Sequence, residues 1–190
     1  NLKRMLAYSA IAHIGYALLG LSAGTATAYA MSLFYLLAYG LMALTAFGLL
    51  VVVSKSGQVE AINDLRGLNA RSPWLALVML LAMFSMAGIP PTVGFFAKLG
   101  ILLGLIGADQ LWMATLAIIF AIIGAYYYLN VIKVMYFEEP EPTLPRLMVA
   151  PDAYLALSIN AILLLVLGLF PSQLMELAQT AFFTINHPVY

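Results

Sequence analysis

The sequence contains no cysteine, which excludes disulfides, iron–sulfur ligation and thiolate zinc sites within the chain and leaves its redox compartment unreadable. Charge is nearly as scarce. Only 8% of the 190 residues are Asp, Glu, Lys or Arg, against about a quarter in an ordinary soluble domain. Eight bases balance eight acids, so the chain has neither a basic field for nucleic acid nor an acidic solvating tail, and a nucleic-acid partner is excluded. The two histidines, His13 and His187, form no His-Glu-x-x-His, and neither Gly-x-Gly-x-x-Gly nor Gly-x-x-x-x-Gly-Lys-Ser/Thr occurs. A hydrolase, a metal site or a nucleotide cradle therefore has no residues to be built from, and any redox cofactor belongs to a partner.

What is present is apolar. Hydrophobic residues make up 64% of the chain and mean hydropathy is +1.01, so the main solvent of this surface is a lipid bilayer. Apolar runs at residues 5–21, 29–53, 74–87, 92–107, 111–137 and 154–170 predict an all-α integral membrane protein, a multi-pass bundle of about six segments. Two of the runs are short. At about 1.5 Å per residue, 74–87 and 92–107 extend only about 21 to 24 Å across a hydrocarbon core of about 30 Å. Gly88-Ile89-Pro90-Pro91 joins them, removing two backbone donors and disfavouring helix at Ile89. Two readings stand: an interrupted membrane helix whose unwound backbone is buried in protein or faces water, or a tight turn at one surface between two tilted helices. Both put Lys98 beside the irregularity.

Charge and turn residues collect at 54–72 and 138–152, the two aqueous connections. Val59, Ile62, Leu65 and Leu68 have helical spacing and predict a short amphipathic surface helix. Residues 1–170 read as the transmembrane unit and 171–190 as a tail, whose Leu174, Leu177, Ala178, Ala181 and Phe182 share a face. Such a tail suits an interfacial helix, a docking arm or the end of a further partial helix. The chain opens Asn1-Leu2-Lys3-Arg4 without Met, and we expect a piece of a longer protein.

Ionisable residues inside the helices carry the functional information. Lys98 has no other charge within ten residues, and an ammonium at membrane depth costs about 2.5 to 3.5 kcal/mol on insertion scales, so it should face a partner or water. Burial disfavours its charged form and an approaching carboxylate favours it again, so such a lysine holds or releases a proton according to its neighbours. The bland alternative is snorkelling to an interface. His13, with Ser9 one turn before it, can accept on one ring nitrogen and donate from the other, and so either passes a proton or simply bonds a neighbouring helix. Lys3 and Arg4 begin a helix and Lys133 lies a turn from the acidic loop, where snorkelling suffices. Tyr39 and Ser32 are polar enough to join a hydrogen-bonded chain, and Tyr126-Tyr127-Tyr128 with Asn130 either line a hydrated path or form an aromatic belt. Asp109 sits at a helix junction and Glu176 in the tail, so no carboxylate pair lies within the helices. The chemistry that remains is transport.

The string Asn1-Leu2-Lys3-Arg4-Met5-Leu6-Ala7-Tyr8-Ser9-Ala10-Ile11-Ala12-His13-Ile14-Gly15-Tyr16 resembles the antiporter-like membrane subunits of respiratory complex I, the proton-translocating NADH:quinone oxidoreductase. Ser85-Met86-Ala87-Gly88-Ile89-Pro90-Pro91-Thr92-Val93-Gly94-Phe95-Phe96-Ala97-Lys98 is similar to the subunit N branch, and Tyr126-Tyr127-Tyr128-Leu129 through Val134-Met135-Tyr136-Phe137 continues the likeness. It covers essentially the whole chain and implies the C-terminal portion of a longer subunit, half of an antiporter-like inverted repeat plus C-terminal helices, in a bacterial inner membrane. Residues 1–170 would then be a proton-translocation domain. The family's channel lysine falls on Lys98 and its preceding histidine on His13; Lys3, Tyr39 and Lys133 would support them, with the helix break at Gly88, Pro90 and Pro91. Where related subunits carry a histidine or lysine on the next helix, this sequence has Leu37-Ala38-Tyr39-Gly40, so a relay there would use Tyr39 or water. The resemblance also implies that NADH, FMN, iron–sulfur clusters and quinone bind elsewhere in the complex, and that the partners are its other membrane subunits, lipid and protons. The competing readings are a related cation/proton antiporter or membrane-bound hydrogenase subunit, and a structural membrane subunit with no proton path.

Overall fold

The computed structural model describes residues 1–55, 60–140 and 149–186. Among them are eight α-helices: α1 (Leu2–Ser22), α2 (Ala26–Lys55), α3 (Leu68–Arg71), α4 (Pro73–Ala87), α5 (Val93–Gly107), α6 (Leu111–Phe137), α7 (Pro151–Leu169) and α8 (Pro171–Asn186). Local chemistry sets their ends. The Asn1 side chain accepts from the Arg4 N–H at 2.9 Å, capping α1. Proline occupies the first turn of α4 and α7, where its missing N–H costs nothing, and Asp152 faces the positive end of the α7 dipole. Gly88 closes α4 at φ +84°, its N–H reaching the Phe84 and Ser85 carbonyls.

Four helices, α1, α2, α6 and α7, are long and apolar enough to cross a membrane, and α4 and α5 are shorter apolar helices. No more than 39% of the residues in the most apolar stretch of any of the four are buried within the chain, so apolar side chains such as Ile11, Leu18, Phe120 and Ile122 face outward. Outward faces of that kind require lipid or another membrane protein around them.

Helix α2 serves as a ruler for the rest. At its second half, Asn160 of α7 donates from Nδ2 to the Leu41 carbonyl at 2.8 Å and to Thr45 Oγ1 at 2.7 Å, while Leu157 lies 2.9 Å from where a Cβ on Gly48 would stand. The beginning of α4 is at the same end, because Trp74 Nε1 donates to Ser158 Oγ of α7 at 2.6 Å. Beyond the break, α5 lies along the first half of α2: Gly100 meets Met31 and Gly104 meets Ala28. Helices α4 and α5 therefore run in one direction along α2, as a single interrupted span. This decides between the two readings of Gly88-Ile89-Pro90-Pro91 in favour of the broken helix. The Pro90–Pro91 peptide is cis. The end of α7 docks on the break so tightly that a Cβ on Gly168 would lie 2.0 Å from the Pro91 carbonyl oxygen.

The expected surface helix over 59–68 is not what forms. Val59 lies outside the described residues; Ile62–Leu65 is a single 3-10 turn, and the chain then turns at Gly67 (φ +58°) before α3. Pro140 fills the space a side chain at 67 would need, and the Gly67 N–H donates to the Val134 carbonyl. Leu65 and Leu68 consequently point into the core, fully buried, instead of lying on an interface. Of the second aqueous connection, Glu138 pairs with Arg66 at 2.7 Å, whereas residues 141–148 lie outside the described part. The tail folds as α8 and packs against α2, with Ala178 fully buried and Leu174 and Met175 against the core.

Candidate functional site

Lys98 sits in the second turn of α5, and its Nζ donates backwards to the carbonyls of Met86 at 2.8 Å and Ala87 at 2.9 Å, the last two residues of α4. The sequence dictates why those oxygens are free. In an uninterrupted helix they would accept from the N–H groups of residues 90 and 91, and both positions are proline. The two prolines thus prepare two orphan acceptors, and the ammonium caps both at the negative end of the α4 dipole. Glycines make the geometry possible. A Cβ on Gly88 would lie 2.9 Å from Lys98 Cδ, and one on Gly94 would lie 1.9 Å from the Ser85 carbonyl oxygen. The Gly94 N–H donates to Ser85 Oγ at 3.1 Å, tying the two half-helices together. Among the described residues no carboxylate pairs with Lys98.

His13 is 3% exposed, and both of its ring nitrogens are engaged. Nδ1 lies 2.7 Å from the Tyr35 hydroxyl and Nε2 lies 3.3 Å from the Tyr128 hydroxyl. The Tyr128 hydroxyl is in turn hydrogen-bonded to Ser9 Oγ. Tyr39 stacks on the imidazole, with ring centroids 4.6 Å apart and 18° between planes. A neutral imidazole placed this way donates from one nitrogen and accepts on the other, and the neighbouring hydroxyls select the tautomer. Tyr35 also stacks on Tyr16 at 5.8 Å, and Lys98 Nζ lies 5.5 Å from the centroid of that same Tyr16 ring, a cation–π contact. The Tyr16 hydroxyl donates to the Ala117 carbonyl of α6. Four helices, α1, α2, α5 and α6, therefore converge on one polar cluster near the middle of α2.

The structure brings Lys98, His13, Tyr39 and the break together, and leaves Lys3 and Lys133 exposed near the ends of α1 and α6, outside the cluster. Ser32 donates to the Ala28 carbonyl one turn before it and, among the described residues, joins no hydrogen-bonded chain. Of the three consecutive tyrosines only Tyr128 turns inward, at 6% exposure against 69% for Tyr126 and 52% for Tyr127. Tyr35 and Tyr16 were not singled out from sequence, although a signal existed. Ser9, His13 and Tyr16 follow one another at four and three residues, and Tyr35 and Tyr39 at four, which puts each set on one helix face. Among the described residues no three His, Cys, Asp or Glu side chains gather into a metal site. Between α1 and α6 runs an open groove of about 1060 Å³, mostly apolar, onto which Ser9, Tyr16 and Tyr128 open.

A multi-pass helical bundle with a lysine held at a mid-span helix break defines the class: an integral membrane protein built around an interrupted helix. Residues 1–124 match the family described as NADH:quinone oxidoreductase/Mrp antiporter, TM, and the chain belongs to that family. It is 52% identical over 182 residues to NADH-quinone oxidoreductase subunit N of Thioalkalivibrio sulfidiphilus, a match covering 95% of this chain and 38% of that protein. A chain of respiratory complex I from Thermus thermophilus with bound aureothin superposes with a TM-score of 0.74 at 34% identity, covering 92% of this chain and 39% of that one. A chain of the Mrp complex from Dietzia sp. DQ12-45-1b superposes with a TM-score of 0.88 over 97% of this chain and 42% of that one, but at 22% identity it shows the fold alone. The chain thus spans about two fifths of the relatives it matches. Its apolar spans, its family and its bacterial relatives make it a multi-pass protein of the bacterial inner membrane.

Proposed function

We propose that this chain is the C-terminal portion of a subunit N of NADH-quinone oxidoreductase and carries protons across the membrane, with Lys98 and His13 as its proton-handling residues. The observation that carries the reading is Lys98 at the break, bonded to two carbonyls that Pro90 and Pro91 leave without partners. A buried ammonium held by dipoles instead of a carboxylate has a charged state that depends on the alignment of α4 and α5. Any rearrangement that moves these half-helices apart weakens the hold on the proton, and any that closes them strengthens it. Coupling to a driving reaction needs two states that treat Lys98 differently, and a discontinuous helix supplies the element that can shift between them.

Electron transfer from NADH to quinone, with its FMN and iron–sulfur clusters, takes place elsewhere in the assembly, and this chain contributes translocation without redox chemistry of its own. Its partners are the other membrane subunits and lipid. Lys3 and Lys133, exposed near the helix ends, take part only through such a neighbour. The test is proton uptake per electron in reconstituted complex carrying Lys98→Ala in the full-length subunit, with assembly read on a native gel. Intact assembly with reduced pumping is the expected result. Normal assembly with normal pumping refutes the proton role and leaves a structural subunit.

A further inference from the structure

Resting on that reading, we propose that the hydroxyls of Tyr128 and Ser9 form the port through which protons pass between the α1–α6 groove and His13. Three observations converge. The hydrogen-bonded chain from Ser9 Oγ to the Tyr128 hydroxyl to His13 Nε2 is continuous. Its outer members, Ser9 and Tyr128, open onto the groove while His13 does not. The groove also reaches Asn1 and Arg4 at the start of α1, about 12 Å along the helix from Ser9 at 1.5 Å per residue. The groove thereby joins the end of a spanning helix to the foot of the hydroxyl chain.

The transfer balances atom by atom. A protonated water on the polar edge of the groove, where Asn1, Arg4, Tyr8 and Ser9 line it, gives a proton to the Ser9 oxygen, the original Ser9 proton moves to the Tyr128 oxygen, and the original Tyr128 proton moves to His13 Nε2. Both hydroxyls end neutral, one water is left in the groove, and His13 becomes the imidazolium. Its Nδ1–H then faces the Tyr35 oxygen at 2.7 Å, on the side toward Tyr16 and Lys98. The hydroxyls reset by rotation about their C–O bonds, and the reverse sequence releases a proton to the groove. Tyr126 and Tyr127 do not substitute: Tyr126 does not line the groove, and Tyr127, which does, is half exposed while the His13 nitrogens are engaged by Tyr35 and Tyr128.

A port and a packing residue predict opposite orders of sensitivity. Tyr128→Phe keeps the ring and removes the hydroxyl that links Ser9 to His13, whereas Tyr128→Ser opens space on a polar floor where water can rejoin Ser9 to His13. In the assembled complex with the full-length subunit, Tyr128→Phe should lower proton uptake per electron to the level of His13→Ala, and Tyr128→Ser should retain more of it. Normal pumping in Tyr128→Phe, or pumping in Tyr128→Ser at or below that of Tyr128→Phe, overturns the port. Should either Tyr128 variant fail to assemble, Ser9→Val closes the outer end with an apolar side chain, and the same loss is expected; normal pumping there overturns the port equally. The two readings fail separately. If Lys98→Ala and His13→Ala both pump normally, the proton role of the chain is wrong, whereas loss in those two with normal pumping in Tyr128→Phe removes the port alone.

Discussion

Gly94→Ala is the sharpest test of the interrupted span, because the added methyl has nowhere to go. Its Cβ would stand 1.9 Å from the Ser85 carbonyl oxygen and 2.7 Å from the Ser85 carbonyl carbon, both backbone atoms that no rotamer change can move. Real Cβ contacts essentially never fall under 3.0 Å, so from 1.9 Å the start of α5 must retreat from α4 by at least 1.1 Å. A retreat of that size is enough to carry the Lys98 bonds, now 2.8 and 2.9 Å, beyond hydrogen-bond range. Overpacking costs about 1 to 3 kcal/mol and loss of a partly buried cation from a helix end up to about 2 kcal/mol. Replacing a helical glycine by alanine returns at most about 1 kcal/mol. With the cation at the helix end lost in full, the expected net is about 2 to 4 kcal/mol of destabilisation, read as a lowered melting temperature of purified assembled complex, with reduced proton uptake per electron. Gly40→Ala is the control, since nothing lies within 4 Å of a Cβ there. If Gly94→Ala melts and pumps like Gly40→Ala, the close apposition of the half-helices is wrong.

Gly168→Ala probes the same break from α7: a Cβ 2.0 Å from the Pro91 carbonyl oxygen and 2.6 Å from the Val93 nitrogen should lower the melting temperature and pumping together. Asn160→Ala and Thr45→Val, measured singly and together by thermal or denaturant unfolding in detergent, should show a coupling of about 0.6 kcal/mol and no more than about 1.7 kcal/mol, the range of interhelical hydrogen bonds in membranes. Zero coupling would mean that the 2.7 Å contact between them is not formed.

The six apolar runs were legible because bilayer thickness and helical rise leave few other structures for them, and the run at 111–137 coincides with α6. Lys98 was legible for a related reason, as a lone charge where charge is expensive. Its partners were written in the sequence too, as prolines four residues beyond Met86 and Ala87, but that pattern acquires meaning only once α5 is known to run on in line. Direction was the illegible part. Nothing in Gly88-Ile89-Pro90-Pro91 distinguishes a hairpin from a continued span; the contacts of α5 with Met31 and Ala28 do. His13 shows the same limit, since its hydroxyl partners lie 22 and 115 residues away. The surface helix over 59–68 failed because an apolar period of helical length was interrupted by a glycine at positive φ, and period alone does not register a backbone turn.

The pairing of a double proline with a lysine suggests what the break is for. An α-helix that ends inside a membrane must leave carbonyls unbonded, and in hydrocarbon each costs as much as a lost hydrogen bond unless something donates to it. Gly88 and Ile89 return N–H groups to Phe84 and Ser85, which leaves the Met86 and Ala87 carbonyls to Lys98. The lysine and the broken helix therefore each answer the other's unmet requirement. Pro90→Ala combined with Pro91→Ala supplies two N–H groups that can satisfy those carbonyls by extending α4 one turn. That double variant trades two prolines for good helix formers, but it strands the Lys98 ammonium and displaces the α5 and α7 contacts at the break, so it should melt below the parent. It should also pump fewer protons per electron, because Lys98 loses both acceptors. A variant that is destabilised yet pumps normally would show that the prolines shape the chain without presenting carbonyls to the lysine, and that Lys98 handles its proton independently of the break.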